Sequence, residues 1–331
     1  AREMVGSMDP TYRLPGNESF DETLQRVIRA LESAGYVEES EARNDRLTYR
    51  IEKREMDRPA WDPVQAYVSI VGHPNPLMTL ETNINLMSAY SYSTAGGGVE
   101  AELVDVGNGS PEDFRGVDVR GKIVLGDGST GQLFRRAVQE NGALGVLAYR
   151  LASYSNPEVN RNIAAMYSIP YDPEAEYWGL ALSLNARNTQ RGALSQGPVR
   201  VRVEVESRIY PSEELTLVAD VRGSGAPDER FVFSAHVQES GANDNLTGVA
   251  ALTEVAQVFG EGVQNGNFDP YRTISMIWGD EISSTRRYLE DDPGRTEGVR
   301  WGMSLDMVGE DTEKTGGTFL IEKMPDPSAV W

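Results

Sequence analysis

Three short segments carry the side chains in this chain that could do chemistry together. They are His236-Val-Gln-Glu-Ser-Gly-Ala-Asn-Asp244-Asn245, Trp278-Gly-Asp280-Glu281 and Ser304-Leu-Asp306-Met. Imidazole nitrogen and carboxylate oxygen are a ligand set that suits zinc, and a carboxylate can bridge two cations. His236 is one of only 2 histidines in 331 residues, so its place among carboxylates points to a metal centre. Two divalent cations about 3.5–4 Å apart can share a bridging carboxylate and polarise a water between them. Asp244 suits the bridge, because it lies in a Gly-Ala-Asn-Asp-Asn turn that opens a helix. Asp280 and Glu281 are neighbours at a strand end and point different ways. One can ligate while the other takes the water's proton.

These segments need a scaffold that brings them together. Phe231–Val237, Tyr271–Trp278 and Val299–Val308 read as apolar strands, and a helix is predicted over 246–260, with Val249, Leu252, Ala256 and Phe259 on one face. Leu215–Val221 is a further strand, a short helix lies near Ser283–Glu290, and Gly317–Glu322 is read as a last strand. Strands broken by helices argue for a largely parallel sheet covered on both faces. In such sheets sites collect at the carboxyl ends of strands, and His236, Asp280, Glu281 and Asp306 all fall at or near such ends.

Earlier in the chain, residues 19–35 are predicted as an amphipathic helix, with Ser19 and Glu22 as a capping box and Leu24, Val27, Ile28 and Leu31 on its apolar stripe. Leu47, Tyr49 and Ile51 alternate along one strand, and Ala66–Gly72 supplies another. From about residue 94 the texture changes to short strands (99–106, 122–125), a helix at Gln132–Glu140 that leads into an apolar run over 142–149, and the strict valine–charge alternation of 198–206. The expected division is 1–89 as the first part of the main domain, 90–207 as a β-rich inserted module, and 208–331 as the metal-binding part. The fold class is α/β, with a mostly parallel or mixed central sheet flanked by helices.

Composition narrows the field. The net charge of −20 opposes phosphate backbones and anionic lipid, so no nucleic-acid partner is expected. No apolar run approaches the roughly 18 residues that span a bilayer, so no membrane insertion is expected either. The absence of cysteine excludes disulfides, thiolate zinc sites and cysteine nucleophiles. A start at Ala1 without an apolar leader is what a mature exported protein would show, and a secreted or periplasmic location is the expectation.

The motif His-x-x-x-x-Gly-Ala-x-Asp-Asn-x-x-Gly-Val-Ala-Ala from His236, the acidic pair after Trp278-Gly, and Leu-Asp-Met around Asp306 resemble the co-catalytic di-zinc exopeptidases, the aminopeptidases and glutamate-carboxypeptidase-like enzymes. Residues 90–207 resemble the protease-associated domain inserted in many of them, chiefly through Gly116-Val-Asp-Val-Arg-Gly-Lys-Ile-Val-Leu125 and Gly142-Ala-Leu-Gly-Val. The resemblance implies a peptide substrate, hydrolysis by a polarised water, and two zinc ions. It implies one ion held by His236, Asp244 and Asp306, and another held by Asp244, Glu281 and a second histidine. It assigns Asp280 as general base and implies a cis peptide between Asp244 and Asn245.

The chain departs from the family at three places. Gln238 stands where the family has an Asp that orients the histidine ring, and Asp280 stands where it has a longer Glu. No histidine matches the family's downstream ligand, so the expectation is a catalytic domain incomplete at its C-terminus, with one ion possible in place of two. Rival readings are a non-catalytic binding or receptor-like relative that keeps the peptidase shell, and a zinc hydrolase of non-peptide amides. Elsewhere, His73 reads as a turn residue and Gly126–Gly131 as a structural turn lacking the Lys of a phosphate loop. Arg286 and Arg287 read as solvated helix surface.

Overall fold

The computed structural model describes residues 1–321 and builds them on two sheets. Thirteen strands lie among the described residues. The first four are β1 (Val37–Glu38), β2 (Leu47–Glu55), β3 (Ala60–Ile70) and β4 (Met78–Thr79). Next come β5 (Val99–Asp105), β6 (Ile123–Asp127), β7 (Gly145–Tyr149), β8 (Gly179–Ala181) and β9 (Arg200–Tyr210). The last are β10 (Glu213–Val221), β11 (Ala226–His236), β12 (Arg272–Gly279) and β13 (Val299–Ser304).

The first sheet has six strands in the order β1-β2-β10-β12-β11-β13. It is mixed: β2–β10 and β10–β12 run antiparallel, while β12–β11 and β11–β13 run parallel. One face is covered by α1 (Arg2–Met8), α2 (Glu18–Ser33) and, from later in the chain, a helix over Leu246–Gln264. Phe20, Leu24, Val27 and Leu31 of α2 meet Leu246, Val249, Leu252 and Ala256, with Leu217, Ala219, Met276 and Trp278 of the sheet beneath them. Fully burying side chains of this size stabilises by about 1.5–3 kcal/mol each, so this layer holds the helices against the sheet. The opposite face carries a smaller cluster of Val218, Val232, Ile277 and Tyr288.

The second sheet has seven strands in the order β4-β3-β9-β5-β6-β7-β8. Its long β3–β9 pair is antiparallel, and β5–β6–β7–β8 run parallel. The sheet begins at Ala60, so the strand read at 66–72 belongs with it and not with the first sheet. Val201, Val203 and Val205 of β9 point into its core, as the valine–charge alternation predicts. Against it lie α3 (Thr130–Phe134), which continues as π-helical turns over Arg135–Glu140, and α4 (Leu184–Leu194).

The remaining helices are α5 (Leu246–Gln264), α6 (Ser283–Glu290), α7 (Pro293–Gly298) and α8 (Thr312–Thr315). Several expectations are corrected. The cap of α2 is Asn17, whose Oδ1 accepts from Phe20 N–H at 2.9 Å, and not Ser19. Gly16, at φ +76, turns the chain just ahead of it. The strand predicted over 299–308 stops at Ser304, where Asn245 and the start of α5 take over the backbone groups of Leu305 and Met307. Residues 317–321 form no strand, and Glu322 lies outside the described residues. Among the described residues no helix is long and apolar enough to cross a membrane.

Candidate metal centre

Strands β12, β11 and β13 lie side by side and parallel, with His236 opposite Gly279 and Ser234 opposite Ser304. Their carboxyl ends therefore open at one edge, and the residues just past each end meet there. His236 is the last residue of β11, Asp280 and Glu281 follow β12, and Asp306 follows β13 by two. One ligand atom each from His236, Glu281 and Asp306 fall within 4.8 Å of one another, the sole such group among the described residues. His236 Nε2 lies 3.2 Å from Asp244 Oδ1 and 3.5 Å from Asp306 Oδ1. Asp244 thus touches the histidine without joining that three-residue group. Asp280 stands beside the group, not in it.

The separations suit a small cation. Ligand atoms at 2.0–2.1 Å from a tetrahedral zinc sit about 3.3 Å apart, and the two histidine–carboxylate distances bracket that value. The Asp244 Oδ1 atom is buried and accepts no aligned hydrogen bond, although the Nε2 contact is short. A buried oxygen without an aligned donor is costly, and a cation would satisfy it. The residues present therefore fit zinc.

Local backbone fixes each group. The Asp244–Asn245 peptide is cis, as the resemblance implies. Asn245 is fully buried and caps α5: its Oδ1 accepts from Gly248 N–H and from Met307 N–H, both at 3.1 Å, and its Nδ2 donates to Leu305 O at 2.9 Å. One side chain thereby ties the Asp244 turn to the Asp306 loop. Gly248 makes the approach possible, since a Cβ there would lie 2.2 Å from Leu305 O. Glu239, Ile282 and Met307 all have positive φ. Such conformations cost on the order of 1–3 kcal/mol each and gather at functional sites.

Gln238 does not orient the His236 ring. Its Oε1 accepts from Glu281 N–H at 2.8 Å and its Nε2 donates to Glu281 Oε2 at 3.3 Å, so it positions Glu281. Among the described residues, buried His236 Nδ1 has no hydrogen-bond partner. The loop after His236 is clamped from elsewhere. Arg13, fully buried, donates to Val237 O at 2.9 Å and to Gly241 O at 2.8 Å, and its backbone pairs with Glu239. Ser240 Oγ donates to Asn85 Oδ1 at 2.5 Å, from the second sheet's side. Nothing in the sequence marks Arg13 or Asn85, whose partners lie 228 and 155 positions away.

Electrostatics follow from this crowding of acids. Burial opposes charge on His236, yet the Asp244 contact and the charges of Asp306, Asp244 and Glu281 carry it up to about 9. The same histidine contact lowers Asp244, against burial. Burial, then the Asp244 charge, lifts the Glu239 carboxyl to about 7. Burial also raises Asp280, opposed by a hydrogen bond from Ser283 Oγ. A metal ion at this edge would displace the proton held by His236.

No family model matches the chain. Solved structures do. A zinc aminopeptidase from Bacillus subtilis superposes with a TM-score of 0.64 at 16% identity, covering 94% of this chain and 68% of the aminopeptidase. A peptidase precursor from Shewanella amazonensis gives 0.63 at 19%, covering 91% and 69%. An aminopeptidase from Aneurinibacillus gives 0.57 at 17%, covering 93% and 70%. At these identities the likeness is one of architecture: the chain has the mixed α/β fold of zinc aminopeptidases.

Proposed function

We propose that the chain is a zinc-dependent metallopeptidase of the exopeptidase type, acting on peptide ends in the aminopeptidase manner. The observation that carries this reading is the meeting of His236, Glu281 and Asp306 within 4.8 Å at three parallel strand ends, with Asp244 3.2 Å from the ring. The fold shared with zinc aminopeptidases supports it. His236, Asp244, Glu281 and Asp306 are the residues that would hold zinc. Zinc, when bound, supplies Lewis acidity that polarises a carbonyl and lets water ionise near neutral pH.

The chain's own groups do the rest. Asp280 takes the proton of the attacking water and returns it to the leaving amine, and its burial-raised proton affinity suits that exchange. Ser283 Oγ and Ser284 Oγ hold Asp280, the latter accepting from its backbone N–H at 2.7 Å. Gln238 keeps Glu281 turned toward the centre. Residues 90–207, with the segment from Ala60 that shares their sheet, are read as a protease-associated insert, and the net charge of −20 is in keeping with an exported protein.

Metal content and turnover test the reading together. Protein equilibrated with zinc and dialysed should hold two ions per chain if Asp244 bridges, or one if only the three-residue group binds. Chelation should abolish peptide cleavage and zinc should restore it. Asp280→Asn should lose turnover by roughly 10²-fold or more with zinc content kept. A chain that binds no zinc, or cuts equally well under chelator, would end the proposal.

A further inference from the structure

Beneath the turn that carries Asp280 and Glu281, the central sheet holds hydroxyls where apolar side chains could pack. Thr216 of β10 is fully buried, Ser284 of α6 is nearly so, and buried Glu214 lies beside them. A buried hydroxyl is costly unless it is bonded, and both of these are. Arg54 Nη1 donates to Thr216 Oγ1 at 3.0 Å, and Thr216 Oγ1 donates to Ser284 Oγ at 3.0 Å. Ser284 Oγ accepts from Asp280 N–H at 2.7 Å and lies 3.5 Å from Glu214 Oε1. The Glu214 carboxylate is in turn paired with Arg287.

These bonds run one way. A guanidinium and a backbone N–H can only donate, so Thr216 receives from Arg54 and gives its own proton to Ser284. Ser284 receives from Thr216 and from Asp280 N–H, and its proton goes to Glu214. A polar network in which each group is satisfied holds its members rigid. A return contact closes the clamp, because Ser284 N–H donates to Asp280 O at 3.1 Å. Gly279 is part of the fit: a Cβ there would lie 2.2 Å from Ser284 Oγ and 3.3 Å from Thr216 Oγ1.

We infer that Thr216 is a positioning residue for Asp280, acting through Ser284. It fixes the hydroxyl that holds the Asp280 N–H, and so the direction in which the proposed base faces. The Glu281 N–H has its own partner in Gln238. Losing the Thr216 bond therefore loosens the base and leaves the ligand beside it in place. This inference rests on the peptidase reading and deepens it.

The test compares the zinc-loaded full chain with Thr216→Val, which keeps the shape and loses the hydroxyl, and with Thr216→Ser, which keeps the hydroxyl. With Ala-Ala-Ala as substrate, Thr216→Val should lower kcat about tenfold while KM and the zinc Kd stay within about twofold. Thr216→Ser should recover most of that loss. Amide exchange reads the clamp without turnover. In Thr216→Val the Asp280 N–H should exchange about tenfold faster. The Val237 N–H, bonded to Gly279 O at 2.8 Å, should keep its rate. If the parent chain cuts no peptide, the peptidase reading fails, and exchange at Asp280 still decides the clamp. Parent-like exchange at Asp280 in Thr216→Val, or faster exchange with kcat unchanged, overturns the inference. Equal acceleration at Asp280 and Val237 also overturns it, because that marks a general loss of structure.

Discussion

Gln238 shows how a single substitution of type can redirect a side chain's work. An Asp at this position would be free to face the ring of His236; the amide, offering both a donor and an acceptor, instead satisfies the backbone N–H and the carboxylate of Glu281. The consequence is measurable. Gln238→Leu removes both bonds and should weaken zinc binding by about tenfold, the low end for partners that orient ligands, with little change in melting temperature of the metal-free chain. Competitive titration against a chromophoric chelator reads this directly, and an unchanged Kd would show that Glu281 needs no such support. Residue types and spacing singled out His236, Asp244, Glu281, Asp280 and Asp306 in the sequence as candidates, and the structure brings His236, Glu281 and Asp306 together. Arg13, Asn85 and the true role of Gln238 were not legible, because hydrogen bonds between residues far apart in sequence leave no periodic mark.

Elements were read well where one face is apolar and less well where capping or tertiary contact sets the boundary. Helix α2 shows both. Its stripe of Leu24, Val27, Ile28 and Leu31 is buried as predicted, but its start is set by Asn17. That side chain caps Phe20 N–H and also donates to Tyr12 O at 2.8 Å, anchoring the segment that leads to Arg13. Asn17→Ala should cost about 1–2 kcal/mol in urea unfolding. Asn17→Asp, which keeps the capping oxygen and loses the donor, should cost less; equal losses would mean that the cap contributes nothing. Helix α4 escaped the sequence reading because only Leu184, Ala186 and Gln190 of its eleven residues are buried, too thin a stripe to show a period. Strand β13 was drawn too long because its apolar run continues past Ser304, where the bonds to Asn245 replace strand pairing.

At the scale of the whole molecule, the two sheets meet through polar contacts whose charge state matters. Asp21 of α2 is raised to about 6 by burial and by the charge of Asp62 on β3, and among the described residues its buried Oδ1 has no hydrogen-bond partner. Its folded value thus lies above the ordinary 3.8, so between about pH 4 and 6 the folded chain holds more protons than the unfolded one. Stability attributable to this group falls as pH rises through that window and stays reduced above it. Asp21→Asn should therefore gain about 1 kcal/mol at pH 7.5, allowing for partial solvent access, with the gain vanishing near pH 4. Thermal melts across that range check it, and a gain independent of pH would assign the effect elsewhere. The sequence by itself determined the types of the candidate ligands, their order and their place at strand ends, because those follow from local pattern and chemistry. Only the tertiary structure decided that β12, β11 and β13 are adjacent and parallel, that the second sheet starts at Ala60, and that Arg13 and Asn85 hold the loop after His236. Those outcomes depend on which surfaces bury against each other over long separations, and no short stretch of residues encodes that.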